Sequence, residues 1–164
     1  METLPDYITL YSKNSQTLGS TMTWNIPDSY YSNTRGGVCY VSLVQSIIQS
    51  ASVNDNLVIK YVNGVQNQYT TSQNGAVIAM LGVQNGTAYG TTDELDCYTP
   101  LITEPIKCLI SARPSQIKLD VKEIDDNSVN VGDTSFFAVF TLKFEYFEVK
   151  EQIDNLEKQR YLNM

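Results

Sequence analysis

The chain is 164 residues long, 42% hydrophobic and 18% charged, the size of one domain and enough to bury an ordinary core without disulfide staples. Eleven Lys and Arg stand against 18 Asp and Glu, a net charge of −7, which argues against direct nucleic-acid binding because gripping phosphates needs clustered cations. No apolar run reaches the ~18 residues of a membrane span, and the Met1-Glu2-Thr3 start has neither the basic nor the apolar region of a signal peptide. The expectation is a chain made and folded in the cytosol.

Residues 7–11 (YITLY) and 21–26 (TMTWNI) are short apolar and β-branched runs separated by the polar 12–20, which predicts two strands, the second stopped by Pro27. Residues 28–37 (DSYYSNTRGG) read as a loop. Residues 38–43 (VCYVSL) alternate like a strand, but the continuation VQSIIQSAS is ambiguous, because Val44, Ile47, Ile48 and Ala51 also fit one helix face. The β-rich surroundings favour one long bent strand.

Residues 57–62 and 65–71 are joined by Asn63-Gly64, whose tolerance of positive φ matches a type I′ turn and predicts a tight hairpin. Asn74-Gly75 introduces 76–83 (AVIAMLGV), either a strand buried on both faces or a short helix, and Asn85-Gly86 closes it. Pro100 within 95–102 (LDCYTPLI) suggests an edge strand, and 106–112 leads to Arg113-Pro114. Ile117, Leu119 and Val121 then alternate with Lys118, Asp120 and Lys122, and Phe136, Ala138, Phe140, Leu142, Phe144 and Tyr146 hold the even positions of the last run. A period of two over this length fits half-buried strands, and the polar loop 125–135 between them suggests a closing hairpin packed on the earlier strands. Beyond Glu148 the spacing of Val149, Ile153, Leu156 and Arg160 changes to that of a short amphipathic helix. The whole predicts an all-β chain, a single jelly-roll β-sandwich of 8–10 strands over residues 1–148, with a C-terminal amphipathic helix or tail over 149–164.

Chemistry is sparse. There is no histidine, which removes the Ser-His-Asp and Cys-His nucleophiles and the commonest metal ligand. Cys39, Cys97 and Cys108 are odd in number and lack C-x-x-C spacing, so they read as buried thiols and not as a disulfide framework or zinc site. Two carboxylate groups, Asp93, Glu94 and Asp96, and Glu123, Asp125 and Asp126, are the candidates for a glycosidase pair, yet nothing in their spacing sets two carboxyls across a cleft, and solvated loop charge is the plainer reading. Asp125-Asp126-Asn127 with Asp133 lacks the ligand spacing of a calcium loop. Neither a catalytic site, a metal nor a cofactor is expected.

Trp24 is the only tryptophan; it either packs in the core or, with Tyr89 and the loop tyrosines Tyr30 and Tyr31, forms a platform for a sugar. Phe137, Val139 and Phe147 lie on the face of the last strand opposite the core set, so part of that face should be covered, by a second sheet, the terminal helix or a neighbouring subunit.

Trp24-Asn25-Ile26-Pro27 ahead of a loop, Tyr40-Val41-Ser42-Leu43-Val44, the strand entry Asp55-Asn56-Leu57-Val58-Ile59, and 140–148 (FTLKFEYFE) as the final strand together resemble the single jelly-roll minor capsid and penton proteins of tailless icosahedral double-stranded DNA viruses, the group of virophages, polinton-like viruses and their large eukaryotic relatives. The resemblance implies a structural protein of the virion, made in the host cytoplasm, that self-associates, with a pentamer at the capsid vertex favoured, or that cements the major capsid protein's capsomers, and that has no catalytic site. No loop here is long enough for the inserted outer domain that pentons often carry, so a minor capsid protein or a penton reduced to its base fits better. Few charges and abundant Tyr and Asn suit a surface packed in symmetric contacts. The interface residues expected are Phe137, Val139, Phe147, Ile153, Leu156, Tyr30 and Tyr31. The alternative is a carbohydrate-binding or host-attachment jelly roll.

Overall fold

The computed structural model describes residues 4–16, 19, 21–32, 36–50, 56–66, 75–86, 95–100, 106–125, 127–131, 136–147 and 158–162, with backbone alone at 50, 66, 83–86 and 95–100. Ten strands follow in chain order: β1 (Asp6–Tyr11), β2 (Thr21–Asn25), β3 (Val38–Ser50), β4 (Leu57–Tyr61), β5 (Val65–Gln66), β6 (Ala76–Gly86), β7 (Leu95–Pro100), β8 (Cys108–Ser111), β9 (Gln116–Glu123) and β10 (Phe137–Tyr146).

Their pairing is nested. β4 pairs with β6, β3 with β8, β2 with β9 and β1 with β10, every pair antiparallel. One long hairpin rolled up in this way gives two sheets, β1-β10-β3-β8 and β2-β9-β4-β6, packed face to face. This is the jelly roll, with the two sheets enclosing one core. The backbone of β7 pairs with β6 and, at Asp96 and Cys97, with the far end of β3, which stitches the sheets together at one corner.

The core is built by the period-two residues. Ile117, Leu119 and Val121 from β9 meet Phe140, Leu142 and Phe144 from β10 inside the sandwich, all of them fully buried. Each such side chain contributes about 1.5–3 kcal/mol through the apolar surface it removes from water.

β9 and β10 are not, however, partners in a hairpin. β9 lies between β2 and β4, while β10 lies between β1 and β3. The connection crosses from one sheet to the other and seals that end of the sandwich, with Val129 buried and backbone bonds from Ile124 to the Asn56 carbonyl (2.9 Å) and from Val131 to the Gly19 carbonyl (3.1 Å). A hairpin would have placed both apolar stripes on one sheet face; the jelly roll sets them opposite each other, so each supplies the other's cover.

Asn63-Gly64 also departs from expectation. Asn63 takes a positive φ of 68°, but Gly64 does not, so the turn is not type I′. It is a corner: β4 continues its sheet, whereas β5 pairs with β8 in the opposite one. The glycine is needed there for space, since a Cβ on Gly64 would stand 2.9 Å from the Cys108 sulfur. The remainder of the strand expected over 65–71 falls outside the described residues. Pro100 ends β7, but the strand is paired on both sides at Asp96 and Cys97 and so is not an edge strand there.

Residues 38–50 form a single strand, as the β-rich setting suggested. Opposite Thr141 and Leu142 the register skips Val44, so that one residue is inserted as a bulge. Before it Cys39 and Val41 point inward; after it Ile48 does. The bulge thus changes which parity is buried and brings Ile47 to the outer surface.

Residues 158–162 are helical, and all five are exposed. The tail therefore ends in a short helix whose Tyr161 and Leu162 are 78% and 85% accessible, clear of the sandwich.

Candidate functional site

The outer surface of β1-β10-β3-β8 is the face on which the sequence placed Phe137, Val139 and Phe147 of its expected interface residues. Register sets the side chains in rows across the strands. Tyr11, Val139 and Ile47 are directly opposite one another on β1, β10 and β3, with Tyr11 and Ile47 41% and 45% exposed and Phe137 beside them at 40%. A second apolar row runs Tyr40, Leu109, Val65 across β3, β8 and β5, and Phe147 packs edge-on against the Tyr40 ring at 5.0 Å.

Between these bands lie two polar rows. In one, the Thr9 and Thr141 hydroxyls are 3.1 Å apart and Gln45 follows on β3. The next holds Tyr7, Lys143 and Ser42. Glu145 gathers Lys107 at 3.1 Å and Lys143 at 3.7 Å. These pairs are partly exposed, so their worth is small, and the two lysines outnumber the one carboxylate they share.

Behind the face, its end is locked by Asp6. The carboxylate accepts hydrogen bonds from the Ser32 backbone N–H (3.1 Å), the Ser32 hydroxyl (2.5 Å) and the Tyr146 hydroxyl (2.6 Å). It thereby ties the first strand, the last strand and the loop after Pro27 into one corner. Tyr146 is held well above the usual phenol range by burial first and then by its bond to Asp6. Tyr31 is raised too, chiefly by burial. Nearby, burial and the Asp6 charge push the Cys39 thiol up to about 12, and burial and Cys39 push Cys108 up to about 12. Both thiols stay protonated at neutral pH, which makes them packing groups and poor nucleophiles.

The other residues singled out from sequence are scattered. Trp24 is in the core, not on a platform: its ring meets Phe140 edge-on at 6.4 Å and its indole N–H donates to the Tyr11 carbonyl at 2.9 Å. Tyr31 is buried as well, packed edge-on against Phe144 at 5.8 Å, with its hydroxyl donating to the Pro114 carbonyl at 2.6 Å. It offers no surface for an interface. Tyr30 next to it is exposed. Both tyrosines occupy the same polar loop, and nothing in Ser29-Tyr30-Tyr31-Ser32 distinguishes the anchored ring from the free one. Tyr89, Ile153 and Leu156 lie outside the described residues.

Of the carboxylates, Asp125 accepts from the Asn127 backbone (3.2 Å) and side-chain amide (2.7 Å), closing its own turn. Asp93, Glu94, Asp126 and Asp133 are outside the described residues, and Asp96 is described by its backbone alone. Among the described residues no three His, Cys, Asp or Glu side chains gather at metal-binding distance, and no helix is long and apolar enough to cross a membrane.

What sequence reasoning missed is Asp6 and the second apolar band. Asp6 reads as an N-terminal surface charge, and Val65 and Leu109 come from segments far apart in the chain. Compared with protein-family models and with curated proteins, the sequence matches none.

Proposed function

We propose that this chain is a structural protein of an icosahedral virion, a minor capsid or penton protein whose copies pack about a symmetry axis, as a pentamer, and contact the major capsid protein. The observation that carries the reading is a jelly roll whose outer sheet face carries exposed aliphatic and aromatic side chains in rows. Apolar rows of this kind are stabilised by being covered, at about 25 cal/mol per Å², and a protein whose work is to be covered on several sides is a building block. The resemblance of the segments around Trp24, Tyr40, Asp55 and Phe140 to capsid jelly rolls supports the same reading. In it the protein is made in the host cytoplasm and resides in the virion, its loops and sheet edges contact neighbouring copies, and residues 149–164 reach adjoining molecules, whereas residues 6–10 belong to β1, with Ile8 and Leu10 in the core.

Native mass spectrometry of the purified protein, followed by incorporation into particles with and without residues 149–164, tests this. A closed oligomer, with reduced incorporation on truncation, is expected. A strict monomer at high concentration, with residues 149–164 dispensable for incorporation, would count against it. The carbohydrate-binding alternative loses its main residue with Trp24 inside the core; specific binding on a glycan array would revive it.

A further inference from the structure

We infer that the outer face of β1-β10-β3-β8 receives residues 148–157 of a neighbouring copy, so that each chain is clasped by the tail of the next. This rests on the building-block reading and names the contact through which its copies join.

Exposed apolar surface is concentrated on one sheet. On β2-β9-β4-β6 the side chains that alternate with the core residues, Val58, Lys60, Val77 and Asp120, are at most 8% exposed. On β1-β10-β3-β8 the outward Tyr7, Tyr11, Ile47 and Phe137 are 40–58% exposed.

Charge selects the occupant. Among the described residues, Lys13, Lys107 and Lys143 stand at this face against one carboxylate, Glu145, a positive surface on a chain of net charge −7. Such a face repels its own like and attracts an acidic segment. Residues 148–157 (EVKEQIDNLE) are acidic, with four carboxylates and a single lysine. They lie outside the described residues, but their sequence also carries the apolar half of the match. Val149, Ile153 and Leu156 have the spacing of one helix side, with Glu148 and Glu157 at its margins. An apolar stripe edged by carboxylates is the complement of apolar rows edged by lysines.

The donor is another molecule. Phe147 packs on the Tyr40 ring of its own copy, yet the row from Tyr11 to Ile47 stays exposed, and the helix at 158–162 stands clear of the sandwich with Tyr161 and Leu162 in solvent. One copy therefore presents both the open face and the free end of its tail. Laying the tail of one on the face of the next covers both. The contact is heterologous, joining two different patches, and repeated about an axis it closes into a ring, as a pentamer requires.

Sedimentation velocity of the full chain across a concentration series tests this, with Ile47→Glu on the face and Ile153→Glu and Leu156→Glu on the tail. Each variant should keep the wild-type circular dichroism and melting temperature, since Ile47 is on the outer surface and the tail follows the last strand. Wild type is expected to associate reversibly, and each substitution to weaken that association about ten-fold or more by setting an unpaired carboxylate in the contact. An equimolar mixture of Ile47→Glu and Leu156→Glu should recover pairs and nothing larger, because the first supplies an intact tail and the second an intact face. Variants that all associate like wild type overturn the inference and leave the building-block reading standing. A mixture that stays monomeric overturns it too, by putting the tail on its own copy. A chain that never associates counts against both readings, whereas tail-dependent association in a protein absent from particles removes only the capsid one.

Discussion

The Tyr146 hydroxyl donates to the Asp6 carboxylate across 2.6 Å, a bond between residues 140 positions apart. It joins the outermost members of the nested strand pairs, so the first strand of the chain is held at its start by the last.

Replacing Asp6 by Ala removes the acceptor for the exposed Ser32 and for the half-buried Tyr146 hydroxyl. The expected loss is about 2–4 kcal/mol, with Tyr146→Phe costing about 1–2 kcal/mol. Urea unfolding measures both. An Asp6→Ala variant as stable as wild type would show that water satisfies the corner equally well.

Gly64→Ala should destabilise the fold by about 1–3 kcal/mol through overpacking, because the new methyl would meet the Cys108 sulfur at 2.9 Å. Adding Cys108→Ala opens that space, so the double variant should be more stable than the two single losses summed. At Gly75 no such rescue exists, since its φ of +114° and the Tyr61 carbonyl at 2.7 Å are backbone constraints. Thermal melts of the wild type, Gly64→Ala, Cys108→Ala and the double variant would reveal simple additivity if the contact is unimportant.

Stability should fall above neutral pH. Folded, Cys39 and Cys108 keep their protons up to about 12, whereas the unfolded chain releases them near the ordinary ~8.5. Between those values the unfolded state binds fewer protons, so the folded state loses stability as pH rises, by at most about 1.4 kcal/mol per pH unit for each thiol. Below ~8.5 this contribution is constant. The raised phenols of Tyr31, Tyr61 and Tyr146 add a further decline above ~10. Denaturant midpoints at pH 7, 8.5 and 9.5 should show the slope, and Cys39→Ala should flatten it.

Trp24 reports on the core. Its emission should be blue-shifted, resistant to acrylamide and unchanged by added sugars, because the ring is buried against Phe140. Unfolding should shift the emission to the red. Quenching in the native state comparable to that of free tryptophan would contradict the packing.

Local chemistry was enough to identify much of this protein. The alternation in β10 and β9 named their buried residues, because successive side chains of a strand must point to opposite sides, and the stretch 38–50 was a strand in a β-rich setting. Partner choice was not local. Ile117, Leu119 and Val121 are buried whether β9 pairs with β10 or faces it across the core, so their pattern is silent on the difference. Asn63 takes positive φ in a hairpin or in a corner alike. Phe137 and Val139 were legible as an outward apolar face, but the row from Tyr11 to Ile47 exists only because the Val44 bulge shifts the register of β3, and Asp6 meets Tyr146 only because the rolled hairpin brings the two ends together. Periodicity is carried by neighbours along the chain, whereas register and sheet order are decided by contacts among residues far apart in it, and those were set by the tertiary structure alone.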